Sequence, residues 1–191
     1  AGAPEGLAVL AGQQTAGRGR AGRAWWSPPA GGLYLSLLLR PRLAAEYVSW
    51  LTMCLALGTA EAVQDVCGLR PGVKWPNDLE VNGRKLAGIL CEGAFQDDRL
   101  SYVIAGLGLN VALDFSSRPD LAGSATSLQA ELGQPVDLTG LVVAVLTRIE
   151  DHYLALQQGV SPQPAWASRL ATLGQPVQAV GEDGRIIRGL A

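Results

Sequence analysis

A short glycine–arginine segment near the start of the chain carries the densest set of groups able to bind an anion. Residues 17–23 have the sequence Gly-Arg-Gly-Arg-Ala-Gly-Arg and follow an apolar strand candidate over residues 7–10. Glycine lets backbone N–H groups approach a ligand, and arginine presents a planar donor fork that matches phosphate or carboxylate. Because three like charges repel and glycine is conformationally free, we expect this loop to be mobile when empty and to close over an anion. A solvated surface loop and a nucleic-acid contact are the alternatives.

Two tryptophans and a polar turn add surfaces that suit a planar, charged ligand. Trp25 and Trp26 directly follow the arginine loop, where an indole ring can stack on a base or pack beneath the loop as core. Residues 74–78, Lys-Trp-Pro-Asn-Asp, end a short strand, because proline interrupts the ladder and Asn-Asp favours a turn. This turn either presents polar groups at a pocket or is a plain strand-to-hairpin connection.

A lysine at the start of an apolar strand is the candidate for a central cation. On a strand of period two, Lys85 shares a face with Ala87 and Ile89, which predicts that its side chain points toward the interior or a pocket. Snorkelling at the strand end is the alternative. In the segment 106–110, Gly-Leu-Gly-Leu-Asn, two glycines on one strand face leave space for a ligand, and Asn110 could contact a base edge.

Strands and helices without a regular βαβ repeat must position these groups. Asn82-Gly83 predicts a hairpin, because both residues tolerate positive φ. A mixed β-sheet backed by helices fits this pattern better than a doubly wound parallel sheet. Hydrophobic periodicity predicts strands over residues 33–39, 101–111, 177–180 and 185–187, and helices over residues 45–67, 126–132, 137–158 and 164–173.

Length, charge and the rare residue types exclude several classes of protein. The 191 residues suit one main domain with a small appendage, and the formal net charge of −2 argues against a general nucleic-acid binder. His152 is the single histidine, so a multi-histidine metal site cannot be built. No apolar run approaches the 18 or so residues of a membrane helix. The three cysteines form no Cys-x-x-Cys pair and fit a reducing, cytoplasmic location.

Four motifs, in this order and spacing, resemble the catalytic domain of biotin protein ligases. They are Gln-Thr-Ala-Gly-Arg-Gly-Arg-Ala-Gly-Arg-Ala-Trp at 14–25, Lys-Trp-Pro-Asn-Asp at 74–78, Gly-Arg-Lys-Leu-Ala-Gly-Ile-Leu at 83–90 and Gly-Leu-Gly-Leu-Asn at 106–110. The resemblance implies an α+β fold, a mixed β-sheet with flanking helices similar to class II aminoacyl-tRNA synthetases. It also implies a catalytic biotin- and ATP-binding domain over residues 1–173. Residues 174–191 would begin a small C-terminal SH3-like barrel, of which this chain holds only a part.

The resemblance also implies a two-step ligation. Biotin and ATP would give biotinyl-5′-AMP and pyrophosphate with the help of Mg²⁺, and biotin would then pass to a lysine of the biotin carboxyl carrier domain of a carboxylase. These partners, a homodimer and a cytoplasmic location are expectations from the family. No nucleic acid or membrane partner is expected for this segment, and no residue is assigned as a metal ligand.

Residue by residue, the resemblance assigns roles to the motifs. Lys85 would bind the biotin carboxylate and then the α-phosphoryl group, with Arg18 and Arg20 as further catalytic residues. Trp25 rather than Trp26 would pack on the adenine, and Asn110 would reach the adenine edge. The implied biotin-binding residues are Gln14, Arg18, Gly19, Arg20, Lys85 and Gly88. The implied ATP-binding residues are Arg18, Arg20, Arg23, Trp25, Asn77, Asp78 and Asn110.

One departure from the family pattern and two competing functions accompany this hypothesis. The family has a Ser-Thr-Asn segment upstream of the arginine loop, and the chain begins after that point, so we expect a part of a longer protein. A lipoate or octanoate ligase or transferase has a related fold, but such relatives usually lack the Gly-Arg-Gly-Arg and Lys-Trp-Pro-Asn-Asp motifs. A nucleic-acid-binding module would use the arginine loop, against which the net charge and the single basic segment argue.

Overall fold

Six apolar strands build an antiparallel sheet at the centre of the fold. The structure is a computed structural model that describes residues 2–96, 99–181 and 183–191. The strands are β1 (Ala8–Ala11), β2 (Gly32–Leu39), β3 (Gly72–Lys74), β4 (Asp78–Val81), β5 (Arg84–Gln96) and β6 (Arg99–Asn110). Their order across the sheet is β1-β2-β6-β5-β4-β3, and each neighbouring pair is antiparallel.

The β4–β5 hairpin turns at the Asn-Gly pair, as the sequence predicts. Asn82 and Gly83 have φ values of 52° and 73°, in the left-handed region that asparagine and glycine tolerate best. β3 and β4 are joined by the turn at Trp75-Pro76, whose peptide bond is cis. The two turns together bring the polar residues after β3 next to Lys85 at the start of β5.

Two layers of helix cover one face of the sheet. α1 packs on the sheet with Leu51 and Leu55 fully buried, and α3 packs on α1. Gly58 lies where these two helices cross, because a Cβ there would stand 2.7 Å from the backbone nitrogen of Ile149. Burial of this apolar face supplies the main stabilisation of the fold. The α-helices of the described residues are α1 (Ser49–Cys67), α2 (Leu128–Leu132), α3 (Leu138–Gln157) and α4 (Gln163–Ala167).

The last predicted helix is shorter than expected, because the residues after it join the edge of the sheet. The prediction covers residues 164–173, whereas α4 ends at Ala167. The amide of Val73 donates to the carbonyl of Arg169 over 2.8 Å, and the amide of Ala171 donates to the carbonyl of Val73 over 2.9 Å. A backbone that pairs with β3 in this way cannot continue the helical hydrogen-bond ladder.

Two further expectations need correction. The helix predicted from residue 45 begins at Ser49, since residues 45–47 form a 3₁₀ turn. The sheet predicted to be mixed has antiparallel pairs between its strands, because β3 to β6 follow one another as a meander. Parallel pairing within the described residues is confined to two isolated bridges, Val73–Leu170 and Lys85–Ala125. The α+β class with flanking helices is confirmed.

A separate two-stranded sheet follows the main sheet. β7 (Pro176–Val180) pairs antiparallel with β8 (Ile186–Leu190), close to the two predicted strands. Of the turn expected between them, Glu182 lies outside the described residues. The assignment of this hairpin to an SH3-like barrel stays a prediction. Within residues 2–96, 99–181 and 183–191, no helix is long and apolar enough to span a membrane.

Candidate active site

A cleft lies on the face of the sheet opposite α1, beneath the segment that contains the arginine loop. Its cavity has a volume of about 240 Å³. An adjoining cavity of about 540 Å³ shares Gln14, Trp25 and Lys85 with it and is also lined by Asn110. The structure therefore brings together every residue that the sequence singled out for biotin or ATP. Those lining the first cavity are Gln14, Arg18, Gly19, Arg20, Arg23, Trp25, Asn77, Asp78, Lys85 and Gly88.

A β-bulge in β5 aims Lys85 at this cleft. Two residues of β5, Lys85 and Leu86, stand opposite the single residue Glu80 of β4. The extra residue reverses the alternation of strand faces, so Ala87 and Ile89, 0% and 1% exposed, point into the core. The prediction that these two residues share a face with Lys85 is therefore wrong, although Lys85 does line the cleft.

Lys85 forms an ion pair at the floor of the cleft. Its Nζ lies 2.7 Å from Asp78 Oδ2 and 5.2 Å from the centre of the Trp25 ring. The other oxygen of Asp78, Oδ1, is buried and has no hydrogen-bond partner among the described residues. A carboxylate and an aromatic face thus hold the ammonium group in place.

Two paired glycines make room for Trp25 on the sheet. Gly88 of β5 faces Gly108 of β6. A Cβ on Gly88 would stand 2.8 Å from the indole, and a Cβ on Gly108 would collide with it. The indole Nε1 is buried without a partner in the described part of the chain. Trp25 therefore lies directly over Gly88, the residue for which the family resemblance implies a biotin contact.

The neighbouring Trp26 contacts a different set of side chains. Its ring centre lies 5.7 Å from that of Phe115, and the guanidinium of Arg118 lies 5.1 Å from the Trp26 ring centre. All three residues line the larger cavity. Sequence reasoning missed Phe115 and Arg118, which lie in the irregular segment after β6 and follow no periodic pattern.

The arginine loop is anchored at two points. Arg18 forms a bidentate pair with Glu92, with Nη1–Oε1 and Nη2–Oε2 distances of 2.9 and 2.8 Å. Arg20 Nη1 donates to Asn77 Oδ1 over 3.3 Å. Arg18 is therefore already paired with an anion of the protein, whereas the closure of the loop over a ligand anion stays a prediction. Sequence reasoning missed Glu92, although its even spacing from Gly88 places both residues on one strand face.

The turn after β3 is fastened to β5 by a reciprocal contact. Asn77 Nδ2 donates to the carbonyl of Ile89 over 2.8 Å, and the amide of Ile89 donates to the carbonyl of Asn77 over 2.9 Å. The neighbouring Asp78 is thereby held beside Lys85. Of the two interpretations of this turn, the structure supports the presentation of polar groups at a pocket.

Asn110 is buried and braces the backbone around Lys85. It is 3% exposed, and its Nδ2 donates to the carbonyls of Lys85 and Thr126 over 3.3 and 3.0 Å. Because the amide nitrogen is engaged within the protein, a contact with an adenine edge would use Oδ1 as acceptor.

Cysteine and metal chemistry have little support in this cleft. Burial raises the pKa of the Cys91 thiol to about 11 and that of Cys54 to about 12, so both stay protonated near neutral pH. In the part of the chain that the structure describes, no group of three or more His, Cys, Asp or Glu side chains could hold a metal ion. The polar and aromatic side chains that line the cleft include arginines, a lysine, two carboxylates, amides and an indole.

Relatives of known name match most of the chain. Residues 1–110 match the model of the biotin/lipoate A/B protein ligase family. The chain is 36% identical over 180 residues to the bifunctional ligase/repressor BirA of Bacillus subtilis, covering 93% of this chain and 55% of that protein. It is 37% identical over 182 residues to the biotin–[acetyl-CoA-carboxylase] ligase of Paracoccus denitrificans, covering 90% of this chain and 73% of that protein.

Solved structures share the fold. The biotin protein ligase from Aquifex aeolicus in complex with biotin and ATP matches with a TM-score of 0.85 and 31% identity, covering 98% of this chain and 78% of that chain. The biotin protein ligase from Leishmania major in complex with biotin matches with a TM-score of 0.69 and 23% identity, covering 96% and 84%. The family model, these relatives and the assembled motif residues lead to one conclusion: the chain belongs to the biotin/lipoate A/B protein ligase family.

Proposed function

We propose that this protein activates biotin with ATP to biotinyl-5′-AMP and pyrophosphate, and then transfers biotin to a lysine of a biotin carboxyl carrier domain. The observation that carries the proposal is the gathering of Arg18, Arg20, Arg23 and Lys85 around one cleft. Relatives named as biotin ligases support it. Because the chain spans 55% of the length of the ligase/repressor relatives, the proposal concerns the complete protein.

The first step joins two anions. A carboxylate oxygen of biotin would attack the α-phosphorus of ATP, and the bond from that phosphorus to the pyrophosphate oxygen would break. Cations in the cleft reduce the repulsion between the reactants and stabilise the charge on the α-phosphoryl oxygens. Lys85, held by Asp78, would bind first the carboxylate and then the phosphoryl group, assisted by Arg18 and Arg20.

The remaining assignments follow the two cavities. Gln14 and Gly19 would contact biotin, as would Gly88 after a displacement of the Trp25 ring that now covers it. Trp25 would then pack on the adenine, within reach of Asn110 Oδ1. Arg23, Asn77 and Asp78 would lie along the nucleotide phosphates.

Mg²⁺ would enter as the metal complex of ATP. The two carboxylates of the cleft, Asp78 and Glu92, are paired with Lys85 and Arg18. A metal ion held mainly by the triphosphate fits this donor set better than a resident site built from the described residues.

In the second step the amine of the carrier lysine would attack the acyl carbon of the adenylate, and AMP would leave. The mixed anhydride hydrolyses in water, so a loop that covers it protects the intermediate.

We also propose a catalytic domain over residues 1–173, a small C-terminal SH3-like domain that begins at residue 174, a cytoplasmic location and a homodimer. The exposed Val9 and Leu10 of the edge strand β1 support self-association.

The test is biotin-dependent ATP–pyrophosphate exchange by the full-length protein, with lipoate as the competing substrate. We expect Lys85→Ala to lower the rate by a factor of about 10²–10³, the typical loss for one preorganised group. Arg148→Ala removes a cation of α3 far from the cleft and should leave the exchange rate unchanged. Exchange with lipoate but not with biotin, or a folded Lys85→Ala protein of normal rate, would overturn the proposal.

A further inference from the structure

The backbone of Lys85 takes its hydrogen bonds from outside the six-stranded sheet. β5 pairs with β6 only from Ala87 onward. At Lys85 the segment 124–126 takes the place of β6. The Lys85 amide donates to the carbonyl of Ser124 over 2.8 Å, and the Thr126 amide donates to the carbonyl of Lys85 over 2.9 Å. The bulged start of β5, and with it the lysine side chain, therefore depends on how this segment is held.

Glu131 of α2 holds the segment against the β4–β5 hairpin. Its side chain is 5% exposed. One carboxylate oxygen accepts from Thr126 Oγ1 and Arg84 Nη2 over 2.6 and 2.7 Å, and the other accepts from Asn82 Nδ2 over 2.8 Å. Arg84 directly precedes Lys85 in the chain. A single buried carboxylate thus fastens both neighbours of Lys85, the one before it in sequence and the one hydrogen-bonded to it.

We propose that Glu131, acting through Thr126 and Arg84, is a positioning residue that sets the location of the Lys85 amine in the cleft. A backbone bulge leaves a strand end with fewer ladder bonds than a regular strand, so an outside contact must fix its direction. The catalytic part of this inference rests on the proposed function. If Lys85 stabilises the α-phosphoryl group, a small displacement slows adenylate formation more than it weakens biotin binding.

Two substitutions at Thr126 separate the hydrogen bond from the packing. Thr126 is 1% exposed, and Thr126→Val keeps the shape of its side chain but removes the hydroxyl that donates a hydrogen bond to Glu131. Thr126→Ser keeps the hydroxyl. Glu131→Gln is a second test, because its amide would place N–H groups against the donors of Arg84 or Asn82.

A matched control removes a hydroxyl elsewhere. Tyr153→Phe deletes a largely buried hydroxyl on α3 that donates to the carboxylate of Glu5. The same hydroxyl accepts from Gln157 Nε2 over 3.2 Å, so this variant reports the loss of a hydroxyl and its two hydrogen bonds away from the residues that line the cleft.

The position of the amine can be measured without substrate. Lys74 and Lys85 are the two lysines of the chain, and Lys74 is exposed enough to serve as an internal reference. In the folded full-length protein, brief acetylation with acetic anhydride followed by mass spectrometry gives the ratio of Lys85 to Lys74 modification. Loosening Lys85 from Asp78 should raise this ratio about threefold or more in Thr126→Val and Glu131→Gln. The ratio should stay unchanged in Thr126→Ser and Tyr153→Phe.

Kinetics then test the catalytic consequence. In biotin-dependent pyrophosphate exchange, Thr126→Val should lower kcat about tenfold while the KM for biotin changes less than about twofold. Thr126→Ser and Tyr153→Phe should keep the wild-type kcat. This division between kcat and KM is not expected from a general loss of stability.

The outcomes distinguish this inference from the function on which it rests. An unchanged acetylation ratio in Thr126→Val overturns the positioning role, and so does an equal rise in Tyr153→Phe. A raised ratio with a normal kcat overturns the catalytic part. If the wild-type protein shows no biotin-dependent exchange, the proposed function fails, and the acetylation ratio still decides whether Glu131 positions Lys85.

Discussion

Replacing Glu92 by glutamine removes the anion that holds the arginine loop on the sheet. In the structure Arg18 spans the cleft to reach both oxygens of Glu92. The amide of glutamine keeps one acceptor but loses the charge and the bidentate geometry. We expect the loop over residues 17–23 to open more often in Glu92→Gln without ligand, while the fold stays intact.

The exposure of the two partners limits the size of this effect. The side chain of Arg18 is 71% exposed and that of Glu92 is 42% exposed. Solvent-exposed pairs of this kind contribute about 0.2–1 kcal/mol. Since about 1 kcal/mol is a factor of roughly five in an equilibrium, opening should increase at most about fivefold. The thermal midpoint should fall by no more than about 4 °C, because the chain is long.

Amide hydrogen exchange across residues 17–23 measures the opening directly. Without ligand, Glu92→Gln should exchange faster than wild type. With biotin and ATP bound, the two proteins should differ less, because we expect Arg18 to contact an anion of the ligand instead. Asp65→Asn is the control, because it removes the charge of the nearest ion-pair partner of Arg148 in an exposed pair that joins α1 and α3. Equal exchange of wild type and Glu92→Gln without ligand would show that the Arg18–Glu92 pair does not hold the loop on the sheet.

Three other expectations concern the two tryptophans, the glycines of β6, and Cys91, which packs against the core. Trp25→Ala should raise the KM for ATP about tenfold or more. Trp26→Ala should change it less than about threefold, because the Trp26 ring packs on protein side chains. The reverse order in pyrophosphate exchange assays would contradict the assignment of Trp25, rather than Trp26, to the adenine. Gly108→Ala should lower the free energy of unfolding, measured in urea, by about 1–3 kcal/mol, because the added Cβ collides with the Trp25 indole. Gly106→Ala should lower it less, because its Cβ meets only a backbone oxygen at 3.3 Å. Equal losses would refute the close approach of Trp25 to Gly108. Cys91 should react with iodoacetamide at pH 8 about a hundredfold more slowly in the folded than in the urea-unfolded protein, because burial raises the pKa of its thiol to about 11. Similar rates in the two states would contradict the raised pKa. The same shift favours the neutral thiol in the folded state, so its contribution to stability is complete below pH 9 and is lost as the pH rises toward 11, which urea unfolding at several pH values can measure.

Local signals in the sequence predicted the parts of the fold that depend on a few adjacent residues. The Asn82-Gly83 pair specified the β4–β5 hairpin, because its backbone preference belongs to the two residues themselves. The helix predicted to end at residue 67 does end there, and Gly68 after it adopts the left-handed conformation that glycine tolerates. The motifs carried the site residues, and the folded chain brings them to one cleft even though they lie on four separate segments.

Contacts between distant segments could not be predicted in this way. The ion pair of Arg18 with Glu92 joins residues 74 positions apart, and its geometry depends on how the loop crosses the sheet. The bulge at Leu86 was not predicted from its neighbours, and the Lys85 backbone beside it hydrogen-bonds to the distant segment 124–126. Because Leu86 has no partner on β4, Lys85 faces the cleft, whereas Ala87 and Ile89 face the core on the opposite side of the sheet.

Anion binding in the cleft must compete with ion pairs that the protein already holds. Four cations and two carboxylates line the first cavity, and Lys85 and Arg18 already pair with Asp78 and Glu92. These carboxylates hold Lys85 and Arg18 over the sheet, and their negative charges offset part of the repulsion among the four cations in the folded protein. A carboxylate or phosphate that enters competes with Asp78 and Glu92 for the donors of Lys85 and Arg18, which reduces the net gain from each new contact. Arg20 and Arg23 have no such carboxylate among the contacts of the described residues, so they provide the greater part of the attraction for an added negative charge. Affinity for a triphosphate should therefore depend more on Arg20 and Arg23 than on Arg18, even though all three belong to one loop.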